Sequence, residues 1–221
     1  MLFIAHSSIK NDLDYSGGDI LNVFSMNKVY SSPLLIAGPS GVGKTYIADR
    51  LLSGYDAFEW LLSTSNRPRR PSDQVGRDYD LVTEKEYQAI AASGDFFMDN
   101  KIFGRRYGYR RSHIASILSK GKIPLALVYT PVVDQFIAQN PGTHALFLEP
   151  VNLDLLKQRM INRGEDAATV AKRMDGIVDE LDAFKRHRAL FADVIQVKDN
   201  TAAQEVIERV AARYQLSTAL R

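Results

Sequence analysis

The chain has 221 residues, 45% of them apolar and 24% charged, the make-up of an ordinary soluble globular protein with one well-buried domain or at most two small ones. Its formal net charge of +2 gives no strong pull toward nucleic acid or a membrane surface. With no cysteine, disulfides and thiolate metal sites are excluded, and the four histidines (His6, His113, His144, His187) lack ligand spacing.

Residues 1–31 precede the first core strand and form an N-terminal extension whose order the sequence leaves open. Met1–Ala5 is apolar but lacks a basic flank and is too short for a signal segment. No apolar run approaches the ~18 residues of a spanning helix, so a cytoplasmic, soluble protein is expected. From Ser32 the chain reads as core. Leu34–Ala37 is an apolar run of strand length, bounded upstream by Ser31-Ser32-Pro33.

The next eight residues, Gly38-Pro39-Ser40-Gly41-Val42-Gly43-Lys44-Thr45, fit the phosphate-cradling pattern G-x-x-x-x-G-K-[ST]. Ile47 and Leu51 then recur on one helical face, with Gly54 at a cap position. Strand, glycine loop and helix is the context this motif requires. Gly38, Gly41 and Gly43 permit backbone angles closed to other residues, so successive N–H groups can converge on one anion. The helix N-terminus adds partial positive charge. Lys44 is expected to reach β- and γ-phosphates and the Thr45 hydroxyl to hold Mg²⁺, so this reads as a nucleoside triphosphate site.

Further along, Ala57–Leu62 reads as a strand, and a polar, basic stretch from Ser63 to Asp80 is broken by Pro68 and Pro71. Thr83-Glu84-Lys85-Glu86 is a capping box opening a helix with Tyr87, Ile90 and Ala91 inward. Short strand pieces are expected at Phe96–Met98 and around Ile102–Phe103. Residues 63–112 are thus expected to form an inserted subdomain over the nucleotide site. Core elements resume with a helix near Ser112–Ser119, a buried strand over Ile123–Tyr129 and a helix after Pro131. A strand at Ala145–Leu148 follows, and Asn152 caps a helix from Leu153. Val170, Met174, Ile177, Leu181 and Phe184 mark one long amphipathic helix. A last strand at Asp193–Val197 precedes a helix burying Val206, Ile207, Val210 and Tyr214. The alternation predicts an α/β fold, a parallel P-loop sheet flanked by helices.

The stretch Ser63-Thr64-Ser65-Asn66-Arg67-Pro68-Arg69-Arg70 and the later Gly76-Arg77-Asp78-Tyr79 resemble the guanylate kinase pattern S-x-T-T-R-x-x-R followed by G-x-D-Y. The resemblance continues through Tyr107-Gly108, Leu156–Gly164 and Lys172-Arg173-Met174, covering about residues 33 to 215. It implies a P-loop domain over 32–221, with 63–112 as the nucleoside-monophosphate-binding subdomain and about 159–175 as a helical lid. It implies an acceptor-phosphate clamp of Arg67, Arg70, Tyr79 and Tyr107 with Ser63 beside the base. Transfer and lid arginines fall on Arg159, Arg163 and Arg173. Guanidinium forks suit phosphate bidentately, and cations offset charge on a transferring phosphoryl group.

Where the family reads guanine with a Glu and a Ser, this chain has Met98 and Tyr109, and where the family carries an acidic D-x-D pair it has Leu127 and Tyr129. Lys101, Arg105, Arg106, Arg110 and Arg111 crowd beside the acceptor site, either as a solvated run or as a grip for a more anionic acceptor. The expected activity is Mg²⁺- and ATP-dependent phosphoryl transfer to a nucleoside monophosphate, GMP by default. The alternatives are a kinase of the same fold acting on another nucleotide or a sugar phosphate, and a weakly catalytic module binding a protein partner. No nucleic-acid or membrane partner is expected.

Overall fold

The computed structural model describes residues 32–69, 77, 79–102, 104–162 and 164–216; the N-terminal extension, Arg70 and Arg163 lie outside them. In chain order the first elements are β1 (Leu34–Ala37), α1 (Lys44–Gly54), β2 (Phe58–Trp60), β3 (Thr64–Ser65), β4 (Asp80–Leu81) and α2 (Glu84–Ala92). Then come β5 (Phe96–Ile102), β6 (Arg105–Arg110), α3 (Arg111–Ser119), β7 (Ile123–Leu127), a 3₁₀ turn (Thr130–Val132) and α4 (Val133–Gln139). The chain continues through β8 (His144–Glu149), α5 (Leu153–Asn162), α6 (Ala167–His187), β9 (Asp193–Gln196) and α7 (Asn200–Arg213).

β1 is fully buried along its length, as expected of an uninterrupted apolar strand covered on both faces. It pairs in parallel with β7 on one side and β8 on the other, within a five-stranded sheet ordered β2-β7-β1-β8-β9. The period of two along the strands divides the core. Leu34, Ile36, Leu125, Leu146 and Leu148 face one layer with Ile47, Leu51, Met160 and Val206. Leu35, Ala37, Ala126, Ala145 and Phe147 face the other with Ile117 and Phe136. Helices therefore cover both faces, as the alternation of elements predicted. The long helix α6 is pinned by Phe184, whose ring stacks on fully buried Phe147 at 3.9 Å. Truncating an aromatic in such a position costs about 3–5 kcal/mol.

Helix starts follow the local chemistry. Thr83 Oγ1 accepts from the Glu86 N–H at 3.2 Å, while the Glu86 carboxylate accepts from the Thr83 N–H at 2.7 Å, a complete capping box. Asn152 Oδ1 accepts from the Leu155 N–H at 2.7 Å, and Asp166 and Asp199 cap α6 and α7. Tyr87 is the fully buried residue of α2, with Ile90 and Ala91 half-buried.

The insertion is a second sheet ordered β4-β3-β6-β5. Two short strand pieces were the expectation here; instead β5 runs unbroken from Phe96 to Ile102, and the basic run Arg105–Arg110 is itself a strand. β6 lacks apolar alternation. It is held by antiparallel pairing with β5 on one side and β3 on the other, so tertiary context overrides local propensity. The Arg77 guanidinium pairs with Asp49, tying this subdomain to α1.

At the opposite edge of the central sheet, buried His144 donates from Nε2 to Asp193 Oδ2 at 3.0 Å. Burial and the nearby Arg213 charge hold its pKa below the ordinary 6.5, against the pull of Asp193, which also faces Arg209. The folded state therefore prefers neutral His144, while the unfolded chain takes the proton more readily. Stability attributable to this group is complete above about pH 6.5 and is lost as pH falls below it, toward the depressed folded value. Thermal melts of the parent should fall more steeply below that pH than those of His144→Gln; parallel curves would remove His144 from the acid sensitivity.

Candidate active site

The site grows from the carboxyl ends of β1, β7 and β8, where an open parallel sheet presents its loops. Gly38, Gly41 and Gly43 hold φ of +138°, +84° and +114°, a region other residues seldom enter. At Gly38 there is a second constraint. A Cβ there would lie 2.5 Å from the Leu148 carbonyl oxygen, so the loop can leave β1 against β8 only without a side chain. Gly43 is the N-cap of α1 and brings no side-chain acceptor to its first turn, an arrangement suited to an external anion. Lys44 Nζ donates to the carbonyls of Gly38 and, at 3.2 Å, Pro39, which keeps the ammonium over the loop.

Facing the loop is a cleft of about 670 Å³. Ser40, Lys44 and Thr45 line it from the P-loop and α1, and Ser63, Arg67, Tyr79 and Tyr107 from in and around the second sheet. The fold thus brings together residues that the sequence separates widely. Arg67 is buried, its guanidinium stacked 4.3 Å over the Tyr79 ring, and Tyr79 meets Tyr107 edge-on at 6.1 Å. Stacking fixes the guanidinium plane before any ligand arrives. Ser63 Oγ donates to the Gly108 carbonyl at 3.5 Å, so it sits at the β3–β6 seam.

The arginines expected to act in transfer separate. Arg173 lines the cleft from α6, where its Nε lies 3.1 Å from Glu165. Arg159 is placed differently: it donates at 3.3 Å to the Gly41 and Val42 carbonyls and at 3.2 Å to that of Lys198, bracing the P-loop. Arg163 and the clamp residue Arg70 fall outside the described residues.

The basic cluster is divided by the pleat of β6. Arg105 lines the cleft alongside Tyr107 and Tyr109. Arg106 and Arg110 lie on the other face, paired respectively with Asp99 and, at 2.6 Å, with Asp80. Arg106 also stacks over Tyr87 at 4.8 Å. Of the cluster's arginines, Arg105 lines the cleft, while Arg106 and Arg110 are ion-paired on the other face.

The far end of the cleft is apolar. Met98, Tyr109, Leu127 and Val132 line it, and the Tyr109 hydroxyl donates to the Leu127 carbonyl at 2.7 Å. Burial pushes the Tyr109 phenol far up, and that of Tyr129 to about 12, so both remain neutral donors. A register irregularity between Phe96 and Met98 turns both Phe97 and Met98 into the core. Asp99 stays on the opposite face, accepting from the Tyr87 hydroxyl at 2.8 Å.

One residue of the site was not singled out from sequence. Glu180 lines the cleft from α6, 5% exposed, and accepts from Thr130 Oγ1 at 3.0 Å. Its signal was present, since it falls beside Ile177 and Leu181 within the helix's apolar stripe, where a carboxylate is out of character.

With this geometry in view, the comparisons with known proteins are consistent. A family model described as guanylate kinase matches residues 30–212. A guanylate kinase of Alkalilimnicola ehrlichii is 29% identical over 72% of this chain and 79% of its own length. One of Granulibacter bethesdensis is 32% identical over 80% of each. The crystal structure of guanylate kinase from Anaplasma phagocytophilum superposes with a TM-score of 0.63 at 20% identity, covering 86% of this chain and 88% of that one.

Gly38→Ala tests the close approach of loop and strand. It should cost about 2 kcal/mol or more, lowering the melting temperature by roughly 4–8 °C. A melting temperature within about one degree of the parent would show that the loop leaves β1 by another path.

Proposed function

The chain belongs to the guanylate kinase family, and from that premise we propose that it transfers the γ-phosphoryl group of ATP to GMP, giving ADP and GDP. The observation that carries this reading is one cleft lined both by Lys44 and Thr45 of the P-loop and by Arg67, Tyr79 and Tyr107 of the inserted segment. Two phosphate-bearing ligands held there meet end to end. An acceptor phosphate oxygen, already anionic at neutral pH, attacks the γ-phosphorus, and the bond to the β–γ bridging oxygen breaks with its electrons leaving on ADP. No general base is required, and the protein's task is positioning and charge compensation.

Each residue has a part in this reading. Lys44 meets the β- and γ-phosphates, and Arg173 offsets charge on the group in transit. Arg159 acts through the P-loop carbonyls it holds, and the roles of Arg163 and Arg70 rest on the family resemblance. The Thr45 hydroxyl, beside an oxygen donor set without histidine or cysteine, fits a hard divalent cation, and it is the residue that would hold Mg²⁺. When bound, that ion neutralises charge across the β- and γ-phosphate oxygens. Residues 63–112 form the acceptor subdomain and about 159–175 the lid in this reading, and the setting is the cytoplasm, where both nucleotides reside. Among the described residues no helix is long and apolar enough to cross a membrane.

A second reading keeps the chemistry and changes the acceptor to another nucleotide or a sugar phosphate. It is favoured by the wall of Met98, Tyr109 and Leu127, which offers no side-chain carboxylate to the N–H edge of guanine. An ADP-release assay with ATP, Mg²⁺ and a panel of nucleoside monophosphates and sugar phosphates separates the two by which acceptor gives the highest kcat/KM. Turnover on none of them would defeat both and leave a binding module.

Lys44→Met should lower kcat by at least about 10²-fold with the preferred acceptor. An unaffected rate would remove the P-loop from the chemistry. Arg105→Ala should raise the acceptor KM about 3-fold at low salt, less at high salt, whereas Arg106→Ala leaves it unchanged. Equal effects of the two would contradict the division made by the β6 pleat.

A further inference from the structure

Glu180 is the only carboxylate lining the cleft among the described residues, and the reading above gives it no task. A buried carboxylate is costly unless partnered, so its surroundings define what it does. Thr130, fully buried in the turn after β7, donates its hydroxyl. The backbones of Thr130 and Ser40 supply further hydrogen bonds, and the Lys44 ammonium supplies the opposing charge. Burial pushes the Glu180 carboxyl up while these partners pull it down, with burial the larger effect. The side chain therefore joins three elements: α6, the P-loop and the turn following β7.

Its position on α6 is rigid. Ile177, fully buried, and Phe184, stacked on Phe147, anchor the helix on either side of it. Arg173 lies two turns toward the N-terminus on the same face, at roughly 3.6 residues per turn, with Gly176 between them at the cleft wall. Whatever sets Glu180 also sets the distance between the helix carrying Arg173 and the loop carrying Lys44. Leu127 and Tyr129, at the end of β7, provide no acid for that purpose.

We propose that Glu180 is a positioning residue of the donor site: it holds the Lys44 ammonium and the Ser40 turn in the geometry that receives β- and γ-phosphates, and registers the P-loop with the helix bearing Arg173. The inference rests on the reading of the P-loop as the ATP site, but its test needs no acceptor and no turnover. It therefore stands or falls separately from the identity of the acceptor.

The experiment is calorimetric titration of ADP and of a non-hydrolysable ATP analogue into the parent, Glu180→Gln, Lys44→Met and the double variant. Glu180→Gln retains shape and an acceptor for Thr130 while removing the charge. It should weaken the ATP analogue about 10-fold more than ADP, and that selective loss should vanish in the Lys44→Met background. Equal weakening of both nucleotides, tighter binding of the analogue, or an undiminished loss in the double variant would overturn the proposal. A merely structural role predicts the first of these. If Glu180→Gln melts before it can be titrated, Thr130→Val removes the donor and keeps the charge. It should then show the same selectivity at about 3-fold, and no change would count against the proposal equally.

Discussion

The pairing of β1 between β7 and β8 is the constraint from which the site descends. Because all three strands run in parallel, their carboxyl ends open at one edge, and the segments leaving them come within reach of one another. The P-loop leaves β1, the Thr130 turn comes after β7, and the Leu148 carbonyl belongs to β8. Gly38 is thereby pressed against Leu148, and Thr130 is set where α6 can reach it with Glu180. The apolar, fully buried sequence of β1 does two things at once. It excludes water from both faces, and it fixes the point from which the phosphate-binding loop departs.

Charge in the cleft follows a second logic. Several cations line the cleft, and like charges brought this close repel each other if left without partners. Three of them are held as follows. Lys44 leans on loop carbonyls, Arg67 on the Tyr79 ring and Arg173 on Glu165. The carbonyl and ring partners carry no net charge, and the charge facing Lys44 is that of Glu180. Glu180 differs from these neutral partners in being a carboxylate that is buried.

Much of the scaffold was legible from apolar pattern and caps. Leu34–Ala37, the capping box at Thr83 and Glu86 and the stripe from Val170 to Phe184 are local signals, and local physics suffices to read them. What escaped was decided by partners distant in sequence. β6 is a strand because β3 and β5 flank it, and nothing within Arg105–Arg110 announces that. The division of its arginines between two faces is settled once the strand is known. The contacts of Arg159 with the carbonyls of Gly41, Val42 and Lys198 likewise join residues far apart in the chain. Glu180 stands out as a carboxylate within the stripe of Ile177, Leu181 and Phe184, but its partner Thr130 is fifty residues away in the chain and no local pattern announces it.

The apolar end of the cleft shows how firmly a pleat can decide chemistry. An acid, Asp99, stands next to Met98, and moving it into the cleft would require a slip of one residue in β5. That slip is blocked from both sides. Asp99 holds the Tyr87 hydroxyl and the Arg106 guanidinium, so inversion would strand a buried phenol and a paired cation. Phe97, packed on Tyr109 and Phe136, would have to leave the core in exchange. Together these losses far exceed what one new hydrogen bond to a ligand returns, at about 0.5–1.5 kcal/mol. The contacts of Asp99 and the packing of Phe97 therefore hold the apolar wall in place. At this point the cleft is bounded by the Met98 thioether and by a Tyr109 phenol whose hydroxyl is already held by the Leu127 carbonyl.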